Sequence, residues 1–462
     1  MHSEADIIEI LATFITSGTF WTKSNPAYKS VRSGYNSAIA DEPLAIARPA
    51  TEDEVLQLVK QCSLRGIPLT VRSGGHDFFG RSCIQDGIVI DMRGFNFITV
   101  SPDRTSVRVG GGVLAGTLQD VLHSHCLFTP TGQSKSVGYI SWACGGGYGF
   151  YVGKYGFGVD QILGARVIVA SGTIVDTDDD PELLWALRGA GAGSFGVVVE
   201  LRVKVYPEPQ ILAGYLAYPL SEATAVLNSL ELASEGEQPD AFSGDMIVVH
   251  PGMLEIPLFQ PALVFLWCWT AEDGDMTAAN LFLEKTTKFG TILVNTVKKT
   301  DPASFGLGGG PAACFFRSRN VRCLDAQLGA IFTKHPPSQT LSAIVIHNNH
   351  GKGTRNGNED GVGASFSNRQ SHVILGLHGG TLSTSSNEAQ AEAKAWVLRL
   401  HNEIDRQQIA LKGGFPSFYH PDQVDLNTFF GQATAKRLKS FKQRIDPKDF
   451  FRQGSLSSLD FV

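Results

Sequence analysis

A chain of 462 residues is long enough for two or three domains of ordinary size. Hydrophobic residues at 43% and charged residues at 18% are those of a folded protein and exclude long disordered tracts. A net charge of −6 with no Lys/Arg run offers no basic face to nucleic acid, and no stretch approaches the roughly 20 apolar residues of a membrane helix.

The amino terminus carries an apolar stretch from Ile7 to Ile15, which follows Glu4 and Asp6 and is interrupted by Glu9. Without a basic lead it reads as an amphipathic first helix and not as a secretion signal. No Asn-x-Ser/Thr acceptor occurs, and the seven cysteines are scattered without CxxC spacing, so neither a disulfide framework nor a metal site is expected. Together these features predict a cytoplasmic protein. The 50 glycines crowd between Gly74 and Gly196, where the backbone must turn tightly or approach a ligand.

Residues 44–49 (LAIARP) read as a strand, Glu52–Leu64 as a helix with Val55, Leu56, Leu58 and Val59 at helical spacing, and Pro68–Arg72 as a strand running into SGGHDFFG. Short strands at Ile88–Asp91 and Ser106–Val109 follow, then a glycine triplet and a helix around Thr117–His125. From Thr131 to Gly158 too little is periodic for a long helix, and the glycine content predicts backbone wrapped around something. Ile162–Ala170 and SGTIVDT form a predicted hairpin turning at Ser171-Gly172. A short helix at Pro181–Arg188 and a strand at Val197–Tyr206 complete this part. Alternating short strands and helices predict α+β or α/β architecture.

Character changes after Pro207-Glu-Pro209. Helical stretches (Ala223–Ala233, Met276–Phe289, Glu388–Asp405) alternate with strands (Leu263–Trp269, Leu341–His347, His372–His378), which predicts a sheet covered by helices. His350–Gly363 reads as a mobile polar loop. A closing helix spans roughly Gly431–Arg444, so the boundaries fall near 207/208 and 414/415, the tail returning to the first domain.

Within SGGHDFFG, small residues expose successive N–H groups of the kind that cradle a pyrophosphate, and His76 sits inside that loop. The loop alone leaves a surface-turn histidine equally open. Gly191-Ala-Gly193-Ser-Phe-Gly196 spells the dinucleotide fingerprint, but it follows a helix and opens a strand, the reverse of the order NAD binding requires.

Read together, SGGH, CGGGYG, KYGFGVDQILGARVIVASGTIVDT and PELLWALRGAGAGSFGVVVELRVKVYP, in that order, resemble the vanillyl-alcohol-oxidase superfamily of FAD-linked oxidases. The likeness is greatest to its berberine-bridge-enzyme-like branch and the 6-hydroxynicotine-oxidase type. It is strong over residues 40–207, weaker over 410–455 and slight between. It implies an α+β fold, with a PCMH-type FAD-binding domain of two subdomains and a substrate domain whose antiparallel sheet is covered by helices.

Carried over residue by residue, Arg72, Ser73, Gly74 and Gly75 would form the pyrophosphate loop, and His76 would bond covalently to the flavin 8α-methyl. Asp77 and Gly80 complete that loop. Thr131, Gly132, Val137, Gly138, Gly145, Gly146 and Gly149 would pass along the cofactor. Tyr155, Asp160, Gly196 and Val198 would line or support it. Bicovalent members place a cysteine where this chain has Ser134, so a single linkage is expected. Cys144 reads as a small buried hydrophobe, and Asp77 as a neighbour of the linkage or an exposed turn acid. The branch's Tyr-x-Asn-Tyr run is replaced by Phe415-Pro416-Ser417-Phe418, with Tyr419 and His420 next in line.

A flavin oxidase needs a group to take the proton from the O–H or N–H attached to the reacting carbon. Strand period two puts Val345, His347 and Asn349 on one face and His372, Ile374, Gly376 and His378 on another, making His347, His378 and Tyr419 the candidate bases. Arg317, Arg319 and Arg369 read as solvated or structural. The resemblance thus implies an oxidase acting on an alcohol or amine centre of a small aromatic or polyketide-like metabolite, ring closure included, with O2 as acceptor and no metal. A flavin dehydrogenase, a carbohydrate oxidase, and an FAD-retaining protein that closes a ring without redox or merely binds a metabolite stay open. So does a monomer or a homodimer.

Overall fold

Local rules set the first elements of the computed structural model, which describes residues 4–191, 193–234, 237–357, 360–454 and 456. The helix Glu52–Arg65 starts where Thr51 Oγ1 accepts the N–H of Glu54 and stops at Gly66, whose φ of 66° favours glycine. Its stripe of Val55, Leu58, Val59 and Cys62 is fully buried. The stripe packs on a four-stranded sheet ordered Thr19–Thr22, Ala45–Arg48, Ile88–Asp91, Leu69–Arg72, of which the last three run parallel.

A second, antiparallel sheet orders Ile98–Val100, Ser106–Gly110, Val197–Lys204, Ile162–Ile168 and Ile174–Asp176. Between the strands Ser106–Gly110 and Ile162–Ile168 of this sheet the chain makes the glycine-rich run, whose described helices are the short Tyr139–Cys144, Val152–Tyr155 and Gly158–Gln161. The glycine triad at 191–196 follows the helix Pro181–Ala190 and opens the strand Val197–Lys204, so it has the order that excludes a dinucleotide fingerprint. The first helix spans Glu4–Ala12, three residues earlier than its apolar stretch predicts.

Residues 210–411 contribute a nine-stranded antiparallel sheet. The strand Ala262–Ala271 at its heart is buried throughout, and alternation explains how. Leu263, Phe265 and Trp267 face the helices Ala223–Ala233, Thr277–Thr286, Ala326–Lys334 and Asn387–Arg406, whereas Val264, Leu266 and Cys268 face Phe128 and, from the glycine-rich run, Phe150 and Tyr151. One sheet thus joins two cores. The strands Gln210–Pro219 and Met246–Val249 carry no clear period in sequence, because they are buried on both faces, whereas the strand Ala313–Val321 alternates buried with half-buried residues and the helix Ala326–Lys334 buries one face, Leu328, Gly329, Ile331 and Phe332. His350–Gly363 departs from expectation. Its first residues form a short helix, Gly351–Arg355, with His350, Gly351, Gly353 and Thr354 buried against the glycine-rich run, and a Cβ at Gly353 would strike the carbonyl of Val152. Asn358 and Glu359 lie outside the described residues.

The closing helix Gln432–Ile445 is anchored on residue 194 through an almost fully buried lysine. Lys442 Nζ donates to Ser194 O (2.6 Å), Phe451 O (2.9 Å) and Asp446 Oδ2 (2.7 Å), and Asp446 also accepts the N–H groups of Phe450 and Phe451. Removing one partner of such a pair strands the other charge. Lys442→Met is expected to lower stability by about 3–5 kcal/mol, read as a lower urea midpoint at constant slope; an unmoved midpoint would show that the tail is anchored elsewhere.

Candidate active site

The loop after the strand Leu69–Arg72 lies backbone to backbone on residues 136–138. A Cβ built on Gly74 falls 2.3 Å from the nitrogen of Gly138, and one on Gly138 falls 2.4 Å from the nitrogen of Gly74. Ser73 Oγ donates to Gly111 O (2.8 Å), and Gly75 takes a φ of 75°. The contact brings Ser136 Oγ to 2.7 Å from His76 Nε2, with Ser134 Oγ 3.2 Å further along. Tyr35 stacks on the imidazole at 4.4 Å and 26°. Burial pushes the His76 pKa down to about 4, so the ring is neutral at pH 7. With Nε2 engaged, Nδ1 is the nitrogen left for another partner.

His76 opens onto a cavity of about 400 Å3, a size that holds small molecules and cofactors. Its walls come from three places: Leu69–Val71 and the 73–78 loop; Gly132–Ser134, Val137, Trp142, Gly145 and Tyr148; and Ile247, Phe316, Val345, His347, His378 and Phe418 of the large sheet and tail. Gly193, Phe451, Gln453 and Gly454 add a further patch. These residues fit a flavin nucleotide: glycine backbone where a pyrophosphate needs N–H groups, a broad apolar wall for a ring system, and a neutral imidazole on the loop between them.

On the sheet side, His347 packs under Tyr148 at 4.4 Å and against Phe418 at 5.9 Å. His378 Nδ1 stands 3.0 Å from Leu341 O, and since a carbonyl only accepts, Nδ1 carries the proton; burial holds this imidazole below its ordinary pKa. Phe78 and Phe316 stack at 4.1 Å and 3°. The two charged residues of the wall, Asp77 and Arg81, pair with each other at 3.1 Å, so Asp77 is a part-buried loop clamp and not an exposed turn acid.

Of the residues singled out by sequence, Ser73, Gly75, His76, Asp77, Gly132, Val137, Gly145, His347 and His378 line this cavity. Gly74 and Gly138 shape it from behind. Arg72 gives its guanidinium to the carbonyls of Val31, Arg32 and Ser82 and, with Gly80, borders a small neighbouring hollow. Thr131, Gly146, Gly149, Tyr155, Asp160, Gly196 and Val198 lie off the wall. A Cβ at Gly146 would meet the Phe415 ring, one at Gly149 the Thr131 carbonyl, and one at Gly196 the Ile168 carbonyl. Thr131 Oγ1 accepts from Gln119, Tyr155 packs on Phe128 and Tyr206, and Asp160 holds Arg369 through two 2.8 Å bonds. Arg319 is likewise structural, held by Asp405. Tyr419 turns away from the cavity, its hydroxyl donating to Gly413 O (3.3 Å), which removes it as a base in this geometry. His420 packs on the outer side of Phe79. Cys144 is fully buried among apolar side chains. Tyr35, Gln133, Ser136, Tyr148 and Asp245 escape sequence reading: Gln133, Ser136 and Tyr148 lie within the glycine-rich run, where the glycines drew the attention, and Tyr35 and Asp245 sit in no periodic stretch.

A family model described as FAD binding domain matches residues 43–178. The FAD-linked oxidoreductase aurO of Gibberella zeae is 34% identical over 445 residues, 94% of this chain and 84% of that protein. The chain belongs to the FAD-linked oxidoreductases, in their berberine-bridge-enzyme-like branch. This oxidoreductase also aligns with (R)-6-hydroxynicotine oxidase of Paenarthrobacter nicotinovorans, 36% identical over 44% of this chain and 46% of that one. Its fold is that of 6-hydroxy-D-nicotine oxidase from Arthrobacter nicotinovorans (TM-score 0.76, 21% identity, 96% and 98% of the two chains). It is equally that of BBE-like 1 from Physcomitrella patens (0.79, 18%, 99% and 100%). The enzyme uses FAD, and no described helix is long and apolar enough to cross a membrane.

Gly138→Ala places a methyl group inside the Gly74 backbone. Overpacking of this kind costs about 1–3 kcal/mol of stability, read as a lower urea midpoint at constant slope; an unmoved midpoint would show that the two loops separate without loss. The buried histidines add a pH dependence. His372 donates from Nδ1 to Gln370 O and faces Asn349 Nδ2 with Nε2, and burial lowers its pKa below 6.5, as it does for His350 and His378. The unfolded chain therefore binds more protons below pH 6.5, and stability is lost as pH falls through that value. The urea midpoint is expected to decline between pH 6.5 and about 5, above the carboxylate range; a flat midpoint there would mean these rings are charged when folded.

Proposed function

We propose that this oxidoreductase is an oxidase of a small aromatic or polyketide-like metabolite, that FAD is tied to it by one bond through His76, and that O2 restores the cofactor with release of H2O2. The observation that carries the reading is His76 itself. It is neutral and stacked on Tyr35, its Nε2 is held by Ser136, which leaves Nδ1 for another partner, and it lines a cavity that His347 also lines. Ser134 beside it supplies no thiolate for a second bond. Two relatives carry names of oxidases of nitrogen heterocycles, (R)-6-hydroxynicotine oxidase and tetrahydroberberine oxidase.

When bound, FAD supplies a two-electron acceptor for hydride leaving the substrate carbon. Ser73, Gly74 and Gly75 would hold its pyrophosphate, and Gly132, Val137 and Gly145 its ring system. His347 takes the proton from the substrate O–H or N–H. His378 offers its bare Nε2 as an acceptor for a second substrate donor. Tyr35, Phe78, Phe316 and Phe418 exclude water and select a flat apolar body. Among the described residues the wall's one ion pair is internal, which leaves them no charge to recognise a carboxylate or an ammonium group. The domain boundaries near 207/208 and 414/415 belong to the same proposal.

Denaturing the purified enzyme and freeing it of small molecules tests the linkage. Flavin absorbance is expected to stay with the wild-type polypeptide and to leave with His76→Ala; wild type that releases all its flavin ends the covalent account. Anaerobic bleaching by small phenols, alcohols and heterocyclic amines, followed by peroxide on readmission of air, tests the oxidase reading. Bleaching without peroxide would make the enzyme a dehydrogenase, and ligand binding without bleaching would leave FAD as scaffold.

A further inference from the structure

Asp245 has no place in the reading above, yet it is among the most completely buried carboxylates of the molecule, 2% exposed. It precedes the strand Met246–Val249 and follows Gly244, whose φ of 67° makes the turn and where a Cβ would strike the side chains of Asn348 and Gln238. Both carboxylate oxygens are fixed. Oδ1 accepts the N–H of Asn348 (2.8 Å), and Oδ2 accepts Nε2 of Gln133 (2.6 Å). Oδ2 also lies 3.9 Å from His347 Nδ1, a nitrogen that is buried and has no hydrogen-bond partner.

A carboxylate removed from water is costly unless a positive charge or donors face it. Two donors hold this one in place, but among the described residues the only basic side chain within ion-pair distance is His347. His350 is the second imidazole under its influence, since Asp245 opposes the lowering that burial imposes there. His350, however, lies off the cavity wall, whereas His347 lines it. Tyr148 and Phe418 pack on the His347 ring and keep it from swinging away.

We propose that Asp245 is the positioning residue of His347: it keeps a proton on Nδ1, turns the bare Nε2 to the substrate, and faces the positive charge that appears when Nε2 takes a proton. In that step the substrate O–H bond breaks and its proton passes to Nε2. The electron pair left on oxygen closes the C=O bond as the carbon's hydride departs to FAD. Gln133 belongs to the same device. It neighbours Ser134 on the loop beside His76, so its bond to Asp245 registers the proton acceptor against the cofactor side of the cavity. The inference rests on the reading of His347 as that acceptor, but its test does not require turnover.

The test is nitrogen NMR of the FAD-loaded enzyme labelled with 15N-histidine, with His347→Gln identifying the His347 signals. Wild type is expected to show an N–H at Nδ1 and an unprotonated Nε2. Asp245→Asn presents an amide N–H to Nδ1, while Gln133 can satisfy it by reversing its own amide, so the pattern is expected to invert, with the proton on Nε2. Unchanged flavin absorbance and urea midpoint show that the variant is folded. A proton on Nε2 in wild type overturns the proposal without any variant, and so does a tautomer that Asp245→Asn leaves unmoved. The reading of His347 fails separately, if His347→Gln bleaches its flavin anaerobically as fast as wild type does.

Discussion

Everything at the centre of this enzyme depends on two peptide backbones touching. Gly74 and Gly138 lie so close that neither tolerates a single carbon atom, and through that contact the loop bearing His76 is laid on the segment bearing Ser134 and Ser136. Few interactions are as short-ranged or as unforgiving, since packed interiors have no slack of the size of a methyl group. The remaining geometry follows. Tyr35 reaches the imidazole, His76 lines the cavity, and the second loop includes Gln133, whose amide reaches across to Asp245 beside the large sheet.

Much of this was legible in sequence, for physical reasons that differ by region. The helix Ala223–Ala233 and the strand Leu69–Arg72 follow from periodicity because each buries one side only, or lies between a turn and a glycine loop. The FAD-binding character follows from ordered motifs, since a cofactor that backbone must approach closely leaves glycines behind as its trace. Glycine, however, does not say what it avoids. Gly132 and Gly145 line the cavity, while Gly146, Gly149 and Gly196 yield to Phe415, Thr131 and Ile168, protein and not ligand. The same ambiguity misplaced Asp160, which is buried for Arg369, and Tyr419, whose hydroxyl is spent on a backbone carbonyl.

What sequence did not show is the set of polar groups that act across large separations. Gln133 and Asp245 are 112 positions apart and meet at 2.6 Å. Neither belongs to a pattern, because a hydrogen bond between two loops imposes no period on either. His347 and His378 were visible only because a strand marks alternate residues, and here the register confirms the arithmetic: His347 pairs with Ile374, Asn349 with His372 and Ala343 with His378. Among the described residues the wall they join is one of imidazoles and aromatic rings, with its ion pair turned inward on itself.

The strand Ala343–Asn349 has a further meaning for how such a catalyst changes. Ile344 and Ile346 belong to the helix-covered core, while Val345 and His347 look into the cavity. Adjacent letters of one short word thus answer to separate demands, stability on one side and recognition on the other. A replacement at Val345 reshapes the binding surface without disturbing the layer that keeps the sheet assembled, because the pleat insulates each face from the other. Chemistry and scaffold are interleaved in sequence but independent in space, which leaves this face of the sheet open to revision one side chain at a time.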